Sequence, residues 1–314
     1  MVESKHKWKA WLYLSPAIIL LLIFTVWPII NTVYMAFSEK YSMMEAFTGK
    51  QFTIGFGNFE HVLVKSVGTV GSDFFRALGN TAILCVITVP LSTILALLIA
   101  VCLNSIKPLQ KLLQTIFFLP YVTNSIAIGM VFAAMFQVIG MAPDGSEAIS
   151  WGLINEFLKV FGVDSIDWLG STDGDYWANI TVMVVYIVWN ALPFKILVLL
   201  GGLQGINKQY YEAARVDSTS KFRVFRKITV PLLSPMISYV VITSFIGGFK
   251  EYSSIVGVFG EDMNGGRLNT MVGYIYTNIE KKQGYASAAA LVLFVIIFIV
   301  TMINLYVSKK KTHY

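Results

Sequence analysis

The sequence predicts an all-α integral membrane protein of six membrane-spanning helices, with both termini on the cytoplasmic side. Three observations carry that reading. The chain is 56% hydrophobic and only 13% charged, about half the charged share of an ordinary soluble domain, and its mean hydropathy is +0.66. Its apolar residues gather into blocks, each near the roughly 20 residues that cross about 30 Å of hydrocarbon as helix. Its lysines and arginines collect in alternate connections between those blocks, the pattern of a chain with a fixed orientation in a bilayer.

In chain order the blocks are Trp11–Phe37, Leu78–Leu103, Leu112–Ile139, Tyr176–Leu200, Met236–Phe259 and Tyr285–Val307. They form one transmembrane domain over 11–308, between a cytoplasmic tail at 1–10 and another at 309–314. The first block holds Pro28, which removes a backbone donor and predicts a kink or tilt. Its apolar run is too long for a signal-peptide core and no small-x-small cleavage site follows, so it is expected to remain as a span. Lys5, Lys7 and Lys9 precede this span, and Lys107 and Lys111 separate the second from the third. Arg215, Lys221, Arg223, Arg226 and Lys227 separate the fourth from the fifth, and Lys309, Lys310 and Lys311 follow the sixth. Six spans put all four segments on one side, which the positive-inside rule makes the cytoplasm. The 141–175 connection instead sets Asp144, Glu147, Glu156, Asp164, Asp167, Asp173 and Asp175 against Lys159 alone, and is expected outside.

Two outer connections carry further signals. Ser38–Ala77 contains the turn-forming run Ile54-Gly55-Phe56-Gly57-Asn58-Phe59, suited to a tight reversal. Trp151–Phe161 places Leu153, Ile154, Phe157, Leu158 and Phe161 at helical spacing, the pattern of an amphipathic helix on the outer surface.

Several functions are excluded. The net charge of +6 is accounted for by the orienting lysines and arginines, so it indicates no nucleic-acid partner. Cys85 and Cys102 lie roughly 25 Å apart along one expected helix and cannot bridge. His6, His61 and His313 are too scattered for a metal site. There is no Gly-x4-Gly-Lys-Ser/Thr phosphate loop, no Gly-x-Ser-x-Gly elbow and no paired catalytic constellation. The chain therefore reads as non-catalytic, and any nucleotide that powers it must sit on another chain.

The connection at 204–235 is unlike the others. Helix-forming residues run up to Arg215, the cluster Asp217-Ser218-Thr219-Ser220 can cap a new helix, and Pro231 and Pro235 close the segment. Two short helices joined at a bend are expected. Tyr211-Glu212-Ala213-Ala214, a small residue at 218, Ile228 and Pro231 resemble the cytoplasmic EAA motif of binding-protein-dependent ABC importer permeases. That motif runs Glu-Ala-Ala, three residues, Gly, nine residues, Ile, one residue, Leu-Pro. The chain departs from it at Ser218 for Gly and Val230 for Leu. Ser218 leaves two readings: the bend needs no left-handed residue, or it tolerates one in serine at modest cost. The resemblance extends over nearly the whole chain. Tyr13-Leu14-Ser15-Pro16-Ala17, Phe75-Arg76-Ala77-Leu78-Gly79-Asn80-Thr81 and Gly284-Tyr285-Ala286-Ser287-Ala288 look like the carbohydrate-uptake branch, and the chain is similar to first-subunit permeases of the maltose, multiple-sugar and glycerol-phosphate type.

The resemblance implies a bacterial inner-membrane protein and a set of partners: a second, homologous permease subunit, two ATPase subunits or a homodimer of them, an extracellular solute-binding protein and a carbohydrate substrate. It implies no cofactor on this chain, ATP–Mg being bound by the ATPase. It also makes the 204–235 segment a coupling helix docked on that ATPase through Glu212, Ala213, Ala214, Asp217, Ser218, Ile228 and Pro231. The two alanines would let a partner approach closely, while Glu212 and Asp217 offer charge-assisted hydrogen bonds.

Counting back from Glu212, Trp189 and Pro193 fall where maltose-type permeases have Trp and Pro. The family's sugar-contacting positions then fall on Ile187, Asn190, Ala191 and Phe194, and counting forward from Pro231 they fall on Ser244, Gly247, Gly248 and Glu251. Aromatic, amide, hydroxyl and carboxylate groups together suit a sugar's apolar faces and hydroxyls, and polar groups in mid-span are costly enough to signal function. Simpler readings stand beside this one: Phe194 facing lipid, Ser244 bonding its own helix, and Gly247–Gly248 serving close packing. Glu251 either contacts the substrate or sits at the outer mouth, with Lys250 as its alternative partner, and Lys195 is expected to snorkel to the inner face. Two glycines in place of larger residues predict a roomy site and an oligosaccharide substrate, and the lack of a cationic cluster argues against a phosphate ester. The alternative is a stand-alone secondary transporter or channel for a small polar solute. Six spans suit it equally, but it leaves the EAA register without a purpose and lacks an inverted repeat.

Overall fold

The computed structural model describes residues 7–66, 73–106, 110–137, 152–171, 175–280 and 282–311. Lys5, His6, Lys107, Asp144, Glu147, Trp151, Asp173 and His313, on which parts of the sequence reading rest, lie outside them. Among the described residues the regular structure is helical, with one isolated bridge between Ser38 and Ile54.

Helix α1 (Trp8–Phe37) is the first span. Beside Pro28, where the sequence predicts a kink or tilt, it carries a widened, π-helical turn at Leu22–Val26, where Trp27 N–H bonds the Leu22 carbonyl. Pro28 follows at once: its ring crowds the carbonyl one turn back, and the widened turn absorbs that crowding. Short helices α2 (Met43–Phe47) and α3 (Gly57–Glu60) follow, then α4 (Phe74–Ser105), α5 (Gln110–Val122), α6 (Ser125–Phe136) and α7 (Leu153–Lys159). Next come α8 (Tyr176–Gln204), α9 (Lys208–Val216), α10 (Lys221–Leu232) and α11 (Ser234–Gly248). The chain ends with α12 (Ser253–Phe259), α13 (Met271–Ile279) and α14 (Gln283–Lys311).

Four helices, α1, α4, α8 and α14, are individually long and apolar enough to cross a membrane. Two bent pairs, α5 with α6 at 99° and α10 with α11 at 67°, bring the number up to six if each is one span. This corrects two expected spans. The third block turns at Thr123–Asn124, where Asn124 Oδ1 accepts the Ile126 and Ala127 N–H groups and starts a new helix. The fifth is not a helix from Met236 to Phe259: it stops at Gly248, Tyr252 leaves helical geometry at φ −150°, and α12 is a separate helix.

The chain forms two compact units, one of Met1–Phe74 with Gly273–Val295 and the other of Phe75–Val272 with Ile296–Tyr314. In the first, the Ile54–Phe59 run folds onto the end of α1. The buried Asn58 amide donates to the Ala36 and Ser38 carbonyls at 3.0 and 2.7 Å, while its oxygen accepts the Lys40 N–H. Phe37 meets Phe56 edge to face, and Phe59 packs against both at a tilt of 50°. His61 stacks on Tyr285 at 3.9 Å, and burial, then the Lys282 and Lys65 charges, push its pKa below the ordinary value.

The second unit has two apolar cores. One joins Leu84, Phe136, Met183, Tyr186, Ile187, Ile255 and Val258. The other joins Ala96, Ala100, Leu103, Ile196, Leu199, Leu203, Leu233 and Val240. The helix expected over 151–161 is shorter, Leu153–Lys159, and its apolar Leu153 and Phe157 are exposed, as is Val160 just after it. Buried Asn155 anchors it, donating to the Ile166 carbonyl and accepting from Trp168 Nε1, both within 2.9 Å.

Candidate functional site

Between α4, α5, α8 and α11 the second unit holds a cavity of about 320 Å³. It is lined by Ile187, Asn190, Ala191, Phe194, Ser244, Gly247, Gly248 and Glu251, so all eight positions selected on the expected fourth and fifth spans come together around one space. Three, four and seven residues from Ile187 lie Asn190, Ala191 and Phe194, which is one face of a helix. Neither the Asn190 amide nor the Ser244 hydroxyl has a hydrogen-bond partner among the described residues, so Ser244 does not bond its own helix backbone. Both remain available to whatever fills the cavity. Phe194 stacks on Tyr121 of α5, with centroids 6.0 Å apart and rings 20° from parallel, which gives the cavity an aromatic wall. That contact removes the lipid-facing reading.

The glycine pair divides its work. A methyl group on Gly247 would meet nothing within 4 Å, whereas one on Gly248 would stand 2.8 Å from Cys85 Sγ. Only Gly247 leaves the cavity roomier, because Cys85 already fills the space beside Gly248. Glu251 does not pair with Lys250. It lies where α11 has ended, and its Oε1 accepts the Ser254 N–H at 3.2 Å, holding the start of α12.

Lys195 does not snorkel. It is 3% exposed, and its ammonium donates to Ser92 Oγ at 2.6 Å, Thr93 Oγ1 at 3.1 Å and the Val89 carbonyl at 3.4 Å. The hydroxyls of α4 hold it inside the unit, and it lines the same cavity.

The 204–235 segment folds as two helices, α9 and α10, joined at 217–220. Glu212 and Ala213 are exposed, while Ala214 is 6% exposed and packs inward. Of the two alanines only Ala213 is open to a partner, since successive helical residues point about 100° apart. Asp217 and Ser218 are exposed, and Ile228 and Pro231 are half-buried. Ser218 has φ +50°, so the bend is left-handed after all and serine bears it. The Thr219 N–H reaches the Ala214 carbonyl at 2.9 Å and the Ser218 N–H the Arg215 carbonyl at 3.1 Å, closing α9 with a Schellman pair. Tyr211 and Thr229 hydroxyls, 3.3 Å apart, tie α9 to α10.

Residues 75–313 match the family of binding-protein-dependent transport system inner membrane components. The chain belongs to that family. As a permease of the inner membrane it has curated relatives along its whole length. An arabinooligosaccharides transport system permease protein of Halalkalibacterium halodurans is 29% identical, over 97% of this chain and 89% of the relative. A lactose transport system permease protein of Rhizobium radiobacter is 30% identical, over 94% and 91%. Among solved structures, a bacterial alginate ABC transporter in complex with alginate pentasaccharide-bound periplasmic protein contains a chain that superposes with a TM-score of 0.75. At 22% identity, over 99% of this permease and 98% of that chain, the likeness is one of fold.

The motif register reaches α8 and α11 of the permease but misses the walls from α4 and α5. Thr88, Val89, Ser92 and Tyr121 also line the cavity. A signal for them was present: Thr81, Cys85, Thr88 and Ser92 repeat every three or four residues along an otherwise apolar block, a polar stripe on one helix face. Tyr121 stands beside Pro120 in the last turn of α5.

Proposed function

We propose that the chain is the transmembrane subunit of an ATP-binding-cassette importer for a saccharide, in particular an oligosaccharide. An extracellular solute-binding protein delivers the sugar, a second permease subunit completes the pathway, and a separate ATPase that holds ATP–Mg docks on α9 and the bend after it. The cavity carries the reading. Aromatic Phe194 and Tyr121 form one wall, and Asn190 and Ser244, free of internal partners, form another, a combination that meets both the apolar face and the hydroxyls of a sugar ring. Relatives named for arabinooligosaccharides and lactose support the sugar class. The chain performs no bond chemistry: it offers replaceable hydrogen bonds, and the α11–α12 break beside the cavity is a place where the wall can rearrange.

The coupling role rests on the exposed Glu212, Ala213 and Asp217 and on the large exposed side chains Tyr210, Val216 and Phe222 around them. Reconstituted importer with its binding protein tests both halves of the proposal. An Asn190→Ala, Glu251→Gln double variant is expected to lower uptake several-fold or more, since a lost hydrogen bond in a buried site costs about 1–3 kcal/mol. Sugar binding by the external protein should not change. Glu212→Lys is expected to leave insertion intact while disconnecting ATP hydrolysis from uptake. Wild-type uptake in the double variant would place the pathway elsewhere, and substrate-stimulated hydrolysis in Glu212→Lys would remove α9 as the dock.

A further inference from the structure

Lys195 is the feature of the cavity that neither the motif register nor the sugar reading uses. It is buried in the wall with three oxygen acceptors, and no ion pair joins it to a carboxylate among the described residues. Those acceptors are neutral. Ser92 Oγ donates its own hydrogen bond to the Thr88 carbonyl and Thr93 Oγ1 to the Val89 carbonyl, so each presents a lone pair to the ammonium. They solvate the charge without cancelling it. A charge kept inside a transmembrane unit at that cost signals a substrate or ion function. The other charge on the wall is Glu251, whose carboxylate already answers the Ser254 N–H.

We propose that Lys195 makes this cavity selective for saccharides bearing a monoanionic group, in practice the carboxylate of a uronic acid. The inference rests on the reading of the cavity as a sugar pathway and adds a substrate class to it. A sugar acid matches both charges at once: its carboxylate accepts from Lys195 in place of the Val89 carbonyl, the longest of the three contacts at 3.4 Å, and its hydroxyls donate to Glu251. A neutral sugar offers Lys195 only more hydroxyls of the kind it has. A phosphate ester would bring a second negative charge into a space with one cation and a carboxylate. One lysine and no arginine therefore fit a carboxylate better than a phosphate.

The test uses the assembled importer in lipid nanodiscs without its binding protein, so that the cavity and not the delivery protein does the selecting. It is titrated calorimetrically with a galacturonate trisaccharide and with its carboxyl-reduced, neutral counterpart. Wild type is expected to bind the uronate about tenfold or more tightly, the strength of one charge-assisted hydrogen bond. Lys195→Met should abolish that preference by weakening the uronate alone, and Lys195→Arg, which keeps the charge, should retain most of it. Equal affinities in wild type, a preference that survives Lys195→Met, or equal weakening of both sugars would overturn the inference and leave the sugar pathway standing. Failure of wild type to bind either trisaccharide would overturn the pathway reading and this one together.

Discussion

At the scale of single residues, Ser218 shows how a motif departure is resolved by backbone geometry. The motif that this segment resembles has glycine here, and the two hydrogen bonds that close α9 require the left-handed turn that glycine adopts freely. Serine at φ +50° pays for that turn with steric strain between Cβ and the backbone. Ser218→Gly is therefore expected to stabilise the loop by about 1 kcal/mol and to raise the thermal midpoint of the purified protein. An unchanged or lower midpoint would mean that the serine hydroxyl earns its place in some other way. Lys195 teaches the converse. Its neighbours in sequence are apolar, so a span-depth argument alone sent it toward the membrane surface. The acceptors that hold it lie about a hundred positions earlier, on α4, and no reading of its own helix could supply them.

At the scale of elements, the long helices were legible because hydropathy averages over some 20 residues, and α1, α4, α8 and α14 each run as one helix over that length, the widened turn in α1 included. The breaks were not legible for the same reason. Asn124 and the Phe249–Tyr252 stretch are single local events inside blocks whose mean composition stays apolar. Packing explains why α12 is separate. It crosses α6 at Gly129 and Gly257, where a methyl group on Gly257 would lie 2.9 Å from the Ile126 carbonyl oxygen and 3.1 Å from Gly129 Cα. Backbone meets backbone there, and neither side can yield. Gly257→Ala should cost about 1–3 kcal/mol as overpacking and lower the melting temperature. Gly247→Ala makes the opposite trade: its methyl group meets nothing within 4 Å, and alanine favours helix over glycine by roughly 0.5–1 kcal/mol. Melting should hold or rise while uptake falls, because the methyl group enters the cavity. Full uptake in Gly247→Ala would deny that face to the substrate.

At the scale of the whole molecule, the open matter is which side of the membrane each connection faces, and charge is the physical term that decides it. Moving lysine or arginine across a bilayer core costs several kcal/mol per group, about 2.5–3.5 at a helix centre, so clustered cations stay on the side where the chain is made. The segment with Lys221, Arg223, Arg226 and Lys227 and the end with Lys309 to Lys311 are accordingly expected inside, and the acidic connection that includes α7 outside. Structure refines where to look. Asn155 is 1% exposed and anchors its loop, so a cysteine there would report damage and not sidedness. Val160 is 80% exposed, Phe222 is 72% exposed, and Lys309 is also at the surface. Both native thiols are free, Cys102 exposed and Cys85 buried against Gly248, and both are replaced first, Cys85 by alanine to keep its volume small. In cells treated with a membrane-impermeant maleimide, Val160→Cys should label at once, while Phe222→Cys and Lys309→Cys should label only after permeabilisation. Labelling of Val160→Cys that also waits for permeabilisation would put the acidic connection inside. Six spans with both ends cytoplasmic would then fail. So would the docking of an ATPase on α9, because an external α9 could never meet a nucleotide-binding partner in the cytoplasm.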